Sequence, residues 1–337
     1  MVRNCFAGTC YLFCTGILSL FFSLAANSQA QRVNGYSPYP DTSYTTWSAF
    51  VNTRKTHPEI QIVPELKSEK IVEKRNVVYI DRGGKIILHL DAFYPADRLP
   101  QKHPAIVIIH GGGWRSGNRA QHIPLAQHLA TRGYVCFTLE YELSTLRQYP
   151  AAITDLKSAL RWVVQHADKY HVDTAKIVVL GFSAGGELAA FLGTTVGNPT
   201  FEPYGKPNEK PAPIHAIVDI DGTLSFTHPE SGEGDDSKKI SAATYWLGYA
   251  KKDSLALWEE ASPLTHVDKH TPPTLFINSS VARMHAGRED FIKVLDQYKI
   301  YSEVKTFENA PHSFCLFDPW FQPTVTCIDD FLKRVFK

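Results

Sequence analysis

The residues that could do chemistry fall in three short segments. Gly181-Phe182-Ser183-Ala184-Gly185 has the form G-x-S-x-G. That form sets a serine on a sharp strand-to-helix turn, with small residues where side chains would collide with neighbouring backbone. His110-Gly111-Gly112-Gly113-Trp114 lies upstream. Three glycines let successive backbone N–H groups face one point, which makes a nest for an anion. His312 lies downstream in Ala310-Pro311-His312-Ser313-Phe314. A neutral imidazole there could take the serine proton and return it to a leaving group. Together these are the parts of nucleophilic acyl transfer. Ser183 is the expected nucleophile, and His312 the base. The N–H groups of Gly112, Gly113 and Ala184 would make an oxyanion hole, and Trp114 would line the substrate cleft. His110 reads as a structural hydrogen bonder. The 14 histidines include His266, His270 and His285 beyond the serine, but His312 alone directly follows the last strand-like run.

The surrounding pattern supplies the elements such a site needs. Ala105–Ile109, Tyr134–Leu139, Lys176–Leu180, Ile214–Ile220 and Thr274–Ile277 are apolar runs, as strands buried on both faces of a parallel sheet should be. Glu303–Phe307 ends the series. Helices are expected over Arg119–Arg132, from Pro150 through Val163, over Glu187–Leu192, Gly287–Tyr298 and Thr324–Phe336. A hairpin is expected from Asn76–Ile80 and Lys85–Tyr94 across Asp81-Arg82-Gly83-Gly84. Alternation of this kind implies one doubly wound α/β domain over residues 76–337. Residues 31–75, rich in Tyr, Pro, Thr and Ser, read as an arm lying on that domain. Thr227–Ser241 is polar and follows a strand's carboxyl end, where such sheets bind ligands, so it is a candidate rim or lid.

Arg3, the apolar stretch Tyr11–Leu24 and the small-residue ending Ser28-Gln29-Ala30 have the order of a secretory leader, with cleavage expected after Ala30. The apolar stretch is shorter than the ~20 residues of a membrane span. No membrane association is therefore expected after cleavage, and the protein should be secreted or periplasmic. Of six cysteines, Cys136, Cys315 and Cys327 then remain. An odd number excludes a disulfide scaffold, while a Cys315–Cys327 bridge stays open. Among 337 residues 44% are hydrophobic, 20% are charged and the net charge is +1. That balance suits a globular enzyme and gives no electrostatic case for nucleic acid. Glu230, Glu233, Asp235 and Asp236 lack calcium-loop spacing, and no histidine pair has a zinc pattern, so no metal is expected.

His110–Trp114, Gly181–Gly186 and Pro311–Phe314, in that order, resemble the α/β-hydrolase fold serine esterases, especially the hormone-sensitive-lipase-like and feruloyl/acetyl-esterase branch. The resemblance runs from about Val77 to the C-terminus. Tyr141-Glu142-Leu143, where that branch usually has Tyr-Arg-Leu, Tyr149-Pro150-Ala151-Ala152 and Asp155 belong to it too. It implies a mostly parallel eight-stranded sheet with helices on both faces, no cofactor, and carboxylic ester hydrolysis through an acyl-enzyme. With export, it implies an acylated polysaccharide or oligosaccharide as the substrate, deacetylated for preference. Pectin methyl or feruloyl ester hydrolysis, exopeptidase action and non-catalytic binding are the alternatives. Trp114, Tyr141, Tyr245, Trp246 and Trp320 could stack on sugar rings.

The acid that orients His312 is unsettled at this level. The branch places it just past Thr274–Ile277, where this chain reads Asn278-Ser279-Ser280-Val281-Ala282-Arg283-Met284 without a carboxylate. Asp221, at the end of the preceding strand, is favoured. Asp290 is the alternative, followed by Glu289, Asp219 and Glu230.

Overall fold

The computed structural model describes residues 30–39, 41–96, 101–202 and 210–337. The expected leader lies outside the described residues up to position 29. In chain order the first elements are α1 (Thr46–Thr53), β1 (Gln61–Ile62), β2 (Ile71–Asp81), β3 (Ile87–Pro95) and β4 (His103–Ile109). A single 3-10 turn, Arg119–His122, leads into α2 (Ile123–Ala130), with Pro124 in its first turn, where a missing N–H costs nothing. Next come β5 (Val135–Leu139), α3 (Ala151–Gln165), β6 (Val172–Phe182) and α4 (Ala184–Thr194). The last part contains β7 (Ala216–Ile220), α5 (Ala242–Leu247), α6 (Leu255–Glu260), β8 (Thr274–Asn278), α7 (Arg288–Gln297), β9 (Ser302–Thr306), β10 (Phe317–Asp318) and α8 (Phe321–Val335).

Eight strands form one sheet in the order β2-β3-β5-β4-β6-β7-β8-β9. Within this sheet, among the described residues, only the β2–β3 and β3–β5 pairings are antiparallel. The two-residue side-chain period of a strand sorts the core into two layers. Along β4, Ala105, Val107 and Ile109 join Leu156 and Leu160 of α3 and Leu188 of α4. Ile106 and Ile108 face the other way, toward Leu129 of α2 and Phe331 of α8. Helices therefore cover both faces, and each buried aliphatic side chain contributes about 1.5–3 kcal/mol by leaving water. This is the α/β-hydrolase architecture expected from the sequence.

The boundaries differ in two instructive places. β2 begins at Ile71, inside the stretch expected to be arm, because Ile71 pairs with Pro95 of β3. As an edge strand it tolerates Glu73, Lys74 and Arg75, and it carries register shifts between Lys74 and Val77 and between Val78 and Ile80. The arm also has structure of its own. α1 is capped by Thr45, whose side chain accepts from the Ser48 N–H, and β1 pairs with β10 more than 250 residues later in the chain. Cys136, Cys315 and Cys327 are free thiols, so the Cys315–Cys327 bridge is not formed. Cys315 faces a small cavity beside Thr46, His122 and Phe321, whereas Cys327 sits on α8 within the field of Glu303 and Arg334. Among the described residues no helix is long and apolar enough to cross a membrane.

Candidate active site

β6 ends at Phe182, α4 begins at Ala184, and Ser183 alone makes the turn, at φ 57° and ψ −122°. A non-glycine residue there is strained, and it persists only where its surroundings over-determine it. The Ser183 N–H donates to Ile220 O at 2.8 Å, and the Ser183 carbonyl accepts from the Glu187 N–H at 3.0 Å. The turn closes so tightly that a Cβ on Gly181 would lie 1.8 Å from Gly185 O. One on Gly185 would lie 2.2 Å from Ile109 O. This is why the elbow needs glycine on both sides of the serine.

His312 bridges two chain segments otherwise distant in sequence. Its Nε2 lies 2.9 Å from Ser183 Oγ and its Nδ1 lies 2.9 Å from Asp221 Oδ2. Its ring packs on Phe182, and the side chain is 25% exposed, whereas that of Asp221 is fully buried. The second oxygen of Asp221 accepts the Ser279 N–H at 2.8 Å, and the Asp221 N–H donates to Ile277 O. Asp221 takes φ 52°, which turns its side chain off the end of β7.

The other carboxylates go elsewhere. Asp219 is buried one strand period back and accepts the Gly222 N–H at 2.8 Å; burial holds its pKa well above the usual range. Asp290 is on α7, hydrogen-bonded to Lys293, which lowers its pKa. Glu289 pairs with Arg288, and Glu230 lies near His228 and the Gly287 N–H.

In the glycine loop, Gly112 has φ 128° and Gly113 φ 60°. The Gly112 carbonyl is turned outward to accept from the Ser116 N–H and from Ser116 Oγ at 2.8 Å. The N–H groups of Gly112 and Gly113 meet no acceptor among the described residues. Gly111 N–H donates to Gln121 Oε1 at 2.8 Å. His110 stacks on Tyr141, whose hydroxyl donates to His110 O. Desolvation by burial holds the His110 imidazole neutral, its pKa lowered to about 4.

Trp114 does not line an open cleft. It is 4% exposed, stacked on Trp246 with ring centroids 4.8 Å apart, and donates its indole N–H to Glu187 Oε2 at 2.9 Å. Its positive φ of 57° directs the ring inward. Tyr141 and Trp246 are likewise buried, which leaves Tyr245 and Trp320 as the partly exposed members of the expected aromatic set. Thr227–Ser241 forms no regular element. It is fastened by Asp236, which accepts from the Ser241 N–H and the Thr244 hydroxyl, and it delivers Ala242 against Gly113.

Sequence reasoning missed the arm's part in the site. Asp41 pairs with Arg115 and bridges to Ser116 beside the glycine loop. Tyr44 Oη lies 3.0 Å from Ser313 Oγ, next to His312. These are contacts between residues far apart in the chain, and no local pattern signals them. Among the described residues no group of three or more His, Cys, Asp or Glu could hold a metal ion.

The BD-FAE family matches residues 90–283, more than half of the chain and all of the site except His312. The chain belongs to the BD-FAE family. Esterase LipC of Mycobacterium tuberculosis is 27% identical over 72% of this chain, which spans 57% of that protein's length. The chain thus covers little more than half of that curated relative. Among solved structures, this BD-FAE member superposes on an esterase of Thermogutta terrifontis with a TM-score of 0.63 and 28% identity, covering 79% of this chain and 95% of the other. A truncated carbohydrate esterase from gut microbiota gives a TM-score of 0.66 at 22% identity, covering 81% of this chain and 100% of the other, a likeness in fold.

Proposed function

We propose that this protein is a serine carboxylic-ester hydrolase that works through an acyl-enzyme, and that it removes acetyl or similar small acyl groups from plant or algal polysaccharide outside the cytoplasm. The observation that carries the chemistry is the continuous hydrogen-bonded line from Asp221 through His312 to Ser183, with both links at 2.9 Å. Asp221 accepts a hydrogen bond from the Nδ1–H, which leaves Nε2 with its lone pair toward Ser183 Oγ. As Oγ attacks the ester carbonyl, His312 Nε2 takes its proton, and negative charge gathers on the carbonyl oxygen. The N–H groups of Gly112, Gly113 and Ala184 meet that charge, helped by the positive end of α4. The proton then passes to the departing alcohol oxygen as the C–O bond breaks. Water repeats the sequence on the acyl-enzyme, giving the free acid and regenerating Ser183.

The ester reading is supported by the family and by relatives named as esterases. The sugar reading rests on the carbohydrate esterase of like fold and on the secretory order of residues 1–30. The test is hydrolysis of p-nitrophenyl acetate against an aminoacyl p-nitroanilide, then mass spectrometry of products from acetylated, feruloylated and methyl-esterified polysaccharides. Acetate release that vanishes in Ser183→Ala supports the proposal. Methanol or ferulate alone overturns the acetyl assignment, and faster anilide cleavage overturns the esterase. N-terminal sequencing of exported protein should begin at Gln31; a start at Met1 overturns the cleaved leader.

A further inference from the structure

Glu187 is the fourth residue of α4 and is fully buried. No cation pairs with it among the described residues. Oε2 accepts the Trp114 indole N–H at 2.9 Å, and Oε1 has no partner. Burial is the main influence on its carboxyl, and the nearby carboxyl of Asp219 acts in the same direction, so its pKa stands well above the usual range. Asp219, equally buried, likewise keeps one oxygen, Oδ2, without a partner. Two buried acids, each with one unpartnered oxygen, therefore lie beneath the site, and the hydrolytic steps above use neither.

What Glu187 touches gives it a task. Trp114 directly follows Gly112 and Gly113, and its left-handed backbone is one that a bulky residue rarely adopts. Four contacts hold it there: stacking on Trp246, the edge of Phe226, the Ser144 N–H on its carbonyl, and the carboxyl of Glu187. Of these, only Glu187 belongs to the helix that begins with Ala184 and carries Ser183 at its head. An oxyanion hole built from Gly112, Gly113 and Ala184 draws its donors from two separate segments. Its geometry depends on the two keeping one fixed spacing.

We propose that Glu187 is a positioning residue: through the Trp114 indole it locks the glycine loop to the nucleophile helix and so sets the spacing of the oxyanion donors. This inference rests on the hydrolase reading above. The brace uses one oxygen, Oε2, as an acceptor, so the amide oxygen of a side chain of the same shape should replace it.

Kinetics and hydrogen exchange together decide the matter. Glu187→Leu removes the acceptor and should lower kcat about 10- to 100-fold with KM within about threefold. Deleting an oxyanion donor outright costs 10²–10³, and a shift of the donors by a fraction of an ångström costs less. Glu187→Gln should keep kcat within about threefold and leave the pH–rate profile unmoved. Trp114→Phe, which removes the indole N–H together with one of the two fused rings, should lose at least as much as Glu187→Leu, and the double variant should fall no further than Trp114→Phe alone. Deuterium uptake over residues 110–117 should rise in Glu187→Leu and Trp114→Phe alone. If Glu187→Leu fails to fold, Trp114→Phe carries the same test. Normal kcat with unchanged uptake overturns the brace, and so does a Glu187→Gln variant as impaired as Glu187→Leu. If the wild type hydrolyses no ester, the function proposed above fails, and the uptake measurement still decides the brace.

Discussion

Two loops at the carboxyl end of the sheet, after β7 and after β8, lie side by side and divide one task. The β7 loop brings a carboxylate, Asp221, buried and at a positive φ, onto His312. The β8 loop, Asn278–Met284, has no acid, but it donates the Ser279 N–H to the same carboxylate. Asn278 is fixed in turn by Arg288, whose Nη1 donates to Asn278 Oδ1 at 2.6 Å. One loop supplies the charge and the other holds it in place. A triad acid is therefore defined by a point in space below the imidazole, and either neighbouring strand end can reach that point.

The division of the task between the two loops makes distinct variants separable in size. The largest effect is expected upstream of it: Ser183→Ala should abolish turnover of p-nitrophenyl acetate while the fold, followed by circular dichroism, is kept. Asp221→Asn should lower kcat by about 10⁴, the size of loss seen when a triad His loses its orienting acid. Asp290→Asn should stay within about twofold. The opposite ranking would hand the role to the β8 side. Asn278→Ala should loosen the β8 loop without touching the acid, and we expect a three- to tenfold loss in kcat at nearly constant KM. If kcat is unchanged, the Ser279 N–H contributes nothing to holding Asp221.

The smallest expected effect concerns stability on the oxyanion side of the sheet. Desolvation holds the buried imidazoles of His110 and His122 at about 4 and about 3. The unfolded chain titrates near 6.5, so in between it binds protons that the folded chain refuses. This stability is fully present above about pH 6.5 and is lost as the pH falls, down to about 4 for His110 and about 3 for His122. At pH 5 the His122 share is about 2 kcal/mol, from 1.36 kcal/mol per unit. Chemical denaturation at pH 7 and pH 5 should find His122→Leu less acid-sensitive than wild type by about that amount. Equal sensitivity would mean that His122 titrates normally.

Much of the site was legible because its parts are local. The elbow around Ser183 is five consecutive residues, and its preceding strand and following helix are short-range patterns. The glycine loop is equally compact, and His312 stood out by its place after the last strand. Asp221 was only one of five candidates, since sequence spacing does not say which strand end faces the imidazole. Trp114 was misread because chemical type does not reveal the sign of φ, and a positive value sent the ring into the core. β2 was cut short because an edge strand needs no apolar alternation on its charged half.

The sequence by itself determined the layered α/β fold, the serine elbow, the glycine loop and the place of His312 after the last strand, each encoded within a few neighbouring residues or by periodic burial. Only the tertiary structure decided which carboxylate meets His312, that the β8 loop serves the acid through a backbone N–H, that Glu187 lies beneath the glycine loop, and that the arm reaches Ser116 and Ser313. These four depend on contacts between residues far apart in the chain, where the register of strands and the direction of side chains are fixed by packing of the whole sheet and not by any local run of residues.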